Sequence, residues 1–405
     1  MSRETSETFI AALQKSRLLT DEQFGLLPDT DRNGASLSAL TRELTDLDWL
    51  TPWQINQLRS GHTNFRLGKY ILLDVLGRGK MGVVYKARRT GSRQLVAVKV
   101  MASGIADDRR KSARFRREIR LVSALKDPHI VSALDAGHAG GRYFLVTELI
   151  PGWNLLQWLE RERVLPVGWV CECLRQASIG LQHIHERELI HRDMKPSNLM
   201  VTADSVHEAP HVRILDLGLG RFVGATVEGD DLTCAGHTVG TLDYMAPEQI
   251  KSGRDADIRA DIYSLGCTAY QSLSGRLPFE GADVGSKLIA KMTTEPPALD
   301  ALRNDVPHDL ADLVARMMRR EREQRPSSPQ EVCKALQPFA KLGILEECLS
   351  PSSPSIASDF FDSVESMHEC HLTRRQRTQP EGLAQKIAAW FKRAHTTWRF
   401  GRAPR

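Results

Sequence analysis

Gly77, Gly79 and Gly82 stand in the run GRGKMG. That spacing alone is a weak signal with three readings. It could be a plain glycine turn, or a dinucleotide-binding loop that opens a helix and meets an acid roughly 20 residues on. It could also be a flexible hairpin whose backbone N–H groups lie against phosphates because no Cβ blocks approach. The following residues favour the last. Val83, Val84 and Tyr85 continue, Gly91 turns the chain, and Val96, Ala97 and Val98 resume, which reads as strand, loop, strand. Lys99 ends the run Val96-Ala97-Val98-Lys99, and Glu118 lies in a helical stretch, 111–125, beyond it. A lone strand lysine is ordinarily a solvated edge charge. Behind a glycine hairpin and ahead of a glutamate-bearing helix, a Lys–Glu pair would hold the ammonium on the phosphates of a nucleotide.

The most specific stretch is His191-Arg192-Asp193-Met194-Lys195-Pro196-Ser197-Asn198. A strand at 212–215 follows, then Asp216-Leu217-Gly218, Gly240-Thr241 and Ala246-Pro247-Glu248. Asp261, ahead of Tyr263-Ser264-Leu265-Gly266, and Arg325 complete the series. In order and spacing the set resembles a eukaryotic-type (Hanks-type) bacterial protein serine/threonine kinase domain over about residues 70–339.

The resemblance implies ATP and Mg²⁺ as ligands and phosphoryl transfer as the reaction, which asks mainly for positioning and charge neutralisation. It makes Asp193 the base that orients a substrate hydroxyl, with Lys195 reaching the γ-phosphate. Asn198 and Asp216 become the magnesium ligands, hard oxygen donors of the kind that ion takes. Lys99 grips the α- and β-phosphates, locked by Glu118, and the loop of Gly77, Gly79 and Gly82 caps them. Val84 and Ala97 form the adenine roof and Met200 its floor. Thr147 is the gatekeeper, and Glu148 and Leu149 offer hinge backbone groups. Lys195 and Thr241 point to Ser/Thr acceptors. Arg192 would receive an activation-loop phosphate as a bidentate partner. Thr233 and Thr238 are the candidates for autophosphorylation among Thr226, Thr233, Thr238 and Thr241. Asp261 would anchor the catalytic-loop backbone, and Glu248 and Arg325 would form a buried ion pair. Lys80 at the loop tip, Leu217 in place of a phenylalanine and Asp127-Pro128-His129 in place of His-Pro-Asn depart from the pattern without removing a catalytic group. The reading from a different class is a nucleotide-binding signalling scaffold with little turnover.

The positioning elements follow from periodicity. Strand-like runs occupy 70–76, 83–87, 95–100 and 143–148, and the pattern from about 153 to 340 is mostly helical. Strands first and helices afterwards argue an α+β arrangement in two lobes. Ahead of them, Leu13, Leu18, Leu19, Thr20, Gln23, Phe24 and Leu27 recur 31 residues later as Leu44, Trp49, Leu50, Thr51, Gln54, Ile55 and Leu58. Their helical spacing, with Thr20 and Thr51 at N-cap positions and Pro52 at a first helical position, predicts two helix–turn–helix units over 1–60. Residues 61–69 read as a linker. The leader resembles those ahead of kinase domains in planctomycete-type bacteria and suggests a docking or packing bundle.

The 405 residues are 26% charged and 41% hydrophobic, ordinary globular usage. Net charge is +5, but residues 371–405 hold nine basic residues against one acid, so the remainder is net −3. The charge is too small and too localised to imply nucleic-acid binding, and none is expected. Seven cysteines without CxxC spacing suggest neither disulfide framework nor zinc site and fit a reducing cytoplasm. No signal pattern and no long apolar run are present. Residues 340–382, Ser/Pro-rich at first, are expected to be disordered. Residues 383–400 read as a basic amphipathic helix, open to an anionic membrane surface, an acidic partner or the kinase domain itself.

Overall fold

Thr20 and Thr51 start helices by the same device. Each hydroxyl accepts from the backbone N–H three residues on, Gln23 at 3.2 Å and Gln54 at 3.1 Å. Each glutamine Oε1 accepts in return from the threonine N–H, at 3.0 and 2.9 Å. These are two capping boxes at the two copies of the repeat. The structure, a computed structural model, describes residues 6–27, 36–79, 82–101, 119, 122–162, 165–202, 210–216, 242–251 and 256–340. Helices α1 (Ser6–Ser16), α2 (Asp21–Gly25), α3 (Leu37–Asp46) and α4 (Pro52–Arg59) form the leader. They close on Phe9, Leu13, Leu40, Leu44, Leu50, Ile55 and Leu58.

That core also takes Phe65, which is 2% exposed. Residues 66–67 form strand β1 (Arg66–Leu67), paired with the next strand through Leu67 and Tyr70. The expected linker 61–69 is therefore part of the fold. Phe65 and Leu67 alternate around Arg66 as a strand does, a pattern too short to stand out in sequence.

The main sheet continues with β2 (Tyr70–Gly79), β3 (Gly82–Arg89), β4 (Leu95–Met101), β5 (Ala133–Ala139) and β6 (Arg142–Glu148), in the order β1-β2-β3-β4-β6-β5. The pairs from β2 onward are antiparallel. Strand β5 escaped the sequence reading because ALDAGHA lacks β-branched residues. Period-two alternation sorts the sheet into two faces. Leu72, Ala87, Val96, Val98, Val100, Phe144 and Val146 pack together on one face, with Trp53 and Tyr85 against them. Val84 opposite Lys99, and Ala97 opposite Thr147, fall on the other. The edges curl toward each other: Tyr70 OH donates to Asp135 Oδ2 at 2.7 Å, and Lys69 Nζ lies 3.0 Å from the same oxygen.

Beyond the sheet come the short strand β7 (Trp153–Asn154), α5 (Leu155–Glu162), α6 (Val167–His185), β8 (Leu199–Thr202) and β9 (His211–Ile214). Then follow α7 (Pro247–Lys251), α8 (Arg259–Ser274), α9 (Val284–Thr293), α10 (Leu299–Leu302), α11 (His308–Met317) and α12 (Pro329–Leu336). Helices α6 and α8 are buried over most of their lengths, so their apolar residues show no single stripe. The Asp127-Pro128-His129 segment joins the two lobes. Asp127 Oδ1 accepts the His129 N–H at 2.8 Å, His129 Nδ1 donates to Val212 O at 3.0 Å, and Ile130 bridges Ile214 in parallel. The leading sheet and the helices behind it make the α+β bilobal fold expected.

Candidate active site

Asp261 organises the loop that bears Asp193. Its carboxylate is fully buried and accepts the backbone N–H of His191 at 2.8 Å and of Arg192 at 2.6 Å, and His185 Nε2 donates to it at 2.9 Å. The loop passes through a left-handed backbone at Arg192, φ 65°, a strain sustained because the amides of His191 and Arg192 that lead into it are both held. His191 completes the brace. Its Nε2 donates to Leu215 O at 2.8 Å, and its Nδ1 accepts the Asp193 N–H at 3.3 Å. A carbonyl can only accept and an amide can only donate, so this imidazole is the neutral Nε2–H tautomer.

Asp193 faces Lys195, whose Nζ is 2.9 Å from both carboxylate oxygens. Asn198, in a 3₁₀ turn (Pro196–Asn198), donates its Nδ2 to Asp193 O at 2.7 Å and to Asp193 Oδ2 at 3.1 Å. That orientation turns Asn198 Oδ1 the other way. The β8–β9 ladder sets Leu199 opposite Ile214, and Leu215 N–H donates to Asn198 O at 2.8 Å. Asn198 and Asp216 thus leave the ends of two paired strands as neighbours. An amide oxygen and a carboxylate in that relation fit Mg²⁺, which takes oxygen donors.

Lys99 Nζ lies 2.7 Å from Asp216 Oδ2. Asp216 also holds a left-handed backbone, φ 57°. Burial would push its carboxyl up. The charge and hydrogen bond of Lys99, with the charge of Lys195 behind them, outweigh that and hold it below the ordinary carboxylate value. Glu118, the partner expected for Lys99, lies outside the described residues, as do Thr241 and the loop threonines Thr226, Thr233 and Thr238.

Gly82 has φ 139°, and a Cβ there would sit 1.9 Å from Val100 O, so close strand approach alone demands glycine. At Gly77 and Gly79 a Cβ would meet no atom within 4 Å. Val84, Ala97, Glu148, Leu149 and Met200 are all half-buried. The Glu148 amide donates to Ser132 O at 3.1 Å, so that backbone group is engaged within the chain. Its carboxylate accepts Ser132 N–H at 2.8 Å and Arg213 Nη1 at 2.7 Å.

Three residues escaped the sequence reading. Leu76, beside Gly77, leaves half of its large apolar side chain exposed; its place before the first glycine was the available signal. Arg213 reaches Glu148 across 65 residues of chain, which no local pattern reveals. Lys291 of α9 is buried and donates to the carbonyls of Leu242 at 2.8 Å, Asp243 at 3.0 Å and Met245 at 2.8 Å. Burial lowers its pKa. Glu248 and Arg325 form the ion pair expected of them, bidentate at 2.6 and 2.8 Å. The Arg325 side chain is fully buried, and its other N–H groups reach the carbonyls of Arg259, Arg319 and Arg320.

The family described as "Protein kinase domain" matches residues 70–337. The serine/threonine-protein kinase pkn3 of Myxococcus xanthus is 35% identical over 276 residues, 67% of this chain and 50% of that protein. PknH of Mycobacterium tuberculosis, also a serine/threonine-protein kinase, is 33% identical over 268 residues, 66% of this chain and 41% of that protein. The chain thus spans half or less of the length of these curated relatives. Among solved structures, the kinase domain of Mycobacterium tuberculosis PknI superposes with a TM-score of 0.52 at 26% identity, covering 68% of this chain and 98% of that one. With the loop, the strand lysine and the paired strand ends arranged as above, and with that family matched from sheet to last helix, the chain belongs to the protein kinase family, in the eukaryotic-type branch found in bacteria.

Proposed function

We propose that the chain is an ATP-dependent protein serine/threonine kinase that transfers the γ-phosphate of Mg-ATP to Ser or Thr hydroxyls of proteins. The observation that carries this reading is the convergence on Asp193, where Lys195 Nζ meets both carboxylate oxygens and Asn198 holds the same residue from behind. In this reading Asp193 accepts the hydroxyl proton while the hydroxyl oxygen attacks the γ-phosphorus. The bond to the β,γ-bridging oxygen breaks, and ADP leaves with that electron pair. Lys195 reaches the γ-phosphoryl oxygens and Lys99 the α- and β-phosphates, neutralising charge where it moves. Asn198 Oδ1 and the Asp216 carboxylate would hold Mg²⁺, which supplies further charge neutralisation at the phosphate oxygens.

The nucleotide fits the rest of the cleft. Gly77 and Gly79 have open space where a side chain would be, so their backbone can close on phosphates. Leu76, Val84 and Ala97 would cover one adenine face and Met200 the other, with Leu149 and the remaining hinge backbone at its edge. The roles of Glu118 and Thr241, autophosphorylation at Thr233 or Thr238, and a membrane surface or acidic partner at 383–400 rest on the sequence pattern alone.

The test is autophosphorylation of purified chain with Mg-ATP, read by intact mass and phosphopeptide mapping beside Asp193→Asn. Phosphate on wild type only is the expected result. Equal phosphorylation of both would remove Asp193 from its role. No phosphate in either, with ATP bound, would favour the scaffold reading.

A further inference from the structure

The helical leader touches the sheet through the N-terminus of α4. The β2–β3 register slips between Leu72 and Asp74, which leaves Leu73 as the extra residue of a bulge. At that bulge Gln54 Nε2 donates to Leu72 O at 2.8 Å and Thr51 Oγ1 donates to Leu73 O at 2.5 Å. Gln54 is buried, and the same side chain completes the α4 capping box through its Oε1. Between them, Trp53 sets its ring edge-on to Tyr85 of β3 at 5.8 Å and to Phe65 at 5.8 Å. Tyr85 follows Val84 in the chain and pairs with Val75. Both strands of the glycine hairpin are therefore held at their base, from the face opposite Lys99.

The first copy of the repeat supplies a contrast within the molecule. Thr20 and Gln23 form the same capping box, yet among the described residues neither hydrogen-bonds to the sheet, and Glu22 stands where the second copy has Trp53. Helix capping therefore does not explain Trp53, nor the second use of Thr51 and Gln54.

We infer that Thr51, Trp53 and Gln54 are positioning residues for the nucleotide: they pre-order the β2–β3 hairpin so that its glycine backbone meets the phosphates without an ordering penalty at binding. The inference rests on the kinase reading for the identity of the ligand. A hairpin that is only fractionally ordered binds with an affinity reduced by that fraction. One edge-on aromatic contact is worth enough to shift such an equilibrium by about five- to tenfold.

The test uses the full chain with Trp53→Ala, Trp53→Phe, Gln54→Leu and Thr51→Ala, beside Thr20→Ala as the matched cap loss. The readouts are KM for ATP against kcat, the Kd of a non-hydrolysable ATP analogue by calorimetry, and amide hydrogen exchange. Trp53→Ala and Gln54→Leu should raise KM and Kd about five- to tenfold, with kcat changed less than about twofold. Exchange should quicken over 72–79 and 82–87 and stay unchanged in α8. Trp53→Phe should recover most of the affinity, and Thr20→Ala should leave it intact. Unchanged Kd with unchanged exchange in the hairpin would overturn the inference. So would exchange that quickens equally throughout, or a Thr20→Ala effect equal to that of Thr51→Ala. A chain that binds the analogue without turnover would defeat the kinase reading, yet Kd and exchange would still decide this one.

Discussion

Lys99 Nζ and Asp216 Oδ2 stand 2.7 Å apart, joining strand β4 of the sheet to the segment just past β9. The pair holds the Asp216 carboxyl below its ordinary value of 3.8 against the opposing push of burial. A carboxylate depressed in the folded state contributes stability that is full above its unfolded pKa and is lost as pH falls through the folded one. Lys99→Met should therefore lower the melting temperature most at pH 6–7. The gap to wild type should narrow progressively below about pH 4, where the unfolded carboxylates also take up protons. Melts across pH 3–7 check this; a gap that widens on acidification would contradict it.

The three glycines of the hairpin should separate under substitution. Gly82→Ala drives a Cβ to 1.9 Å from Val100 O at φ 139°, so it should destabilise the fold by about 2 kcal/mol or more. Gly77→Ala and Gly79→Ala meet nothing within 4 Å and should leave the melting temperature within about 2 °C, a surface-type change, while weakening ATP. Denaturant melts with nucleotide titrations on the three variants distinguish the two kinds of glycine.

Asp261→Ala removes one buried acceptor from three donors, the His191 and Arg192 amides and His185 Nε2. Each buried donor left unpaired costs about 1–3 kcal/mol. The left-handed turn at Arg192 would lose its restraint, so phosphotransfer should fall at least as steeply as stability. Activity measured at a temperature where the variant remains folded checks that order.

Lys291→Met should loosen the segment 242–245, because three carbonyls lose their shared ammonium. A loss of about 1–3 kcal/mol for each carbonyl left dry is the upper scale. Water entry would lessen it. Hydrogen exchange should rise first over 242–251, ahead of α12. Equal protection of the two segments in the variant would show that the ammonium does not hold this stretch.

Much of this protein was legible in its sequence because local chemistry dictated it. The glycine spacing, the His191–Asn198 run and the Asp216 step need particular residue types at short range, so they could be read without coordinates. The two N-caps at Thr20 and Thr51 were equally local, since a threonine hydroxyl ahead of a helical run satisfies a first-turn amide whatever surrounds it. The Glu248–Arg325 pair and the anchoring by Asp261 could be named only through resemblance, because their partners lie 77 and about 70 residues away in the chain.

Other relationships existed only once the chain had folded. Lys291 reads as an ordinary lysine on an amphipathic helix; burial against three carbonyls is set by where α9 lands. Arg213 meets Glu148 because β9 passes behind the hinge. Residues 61–69 looked like a linker because two apolar residues carry too little periodicity to announce a strand. Trp53 and Gln54 had a reason to be helical but no visible reason to be tryptophan and glutamine. Sequence determined that a helix begins at Thr51; the bulge at Leu73, which turns two carbonyls toward that helix, decided that the leader and the sheet are one structure.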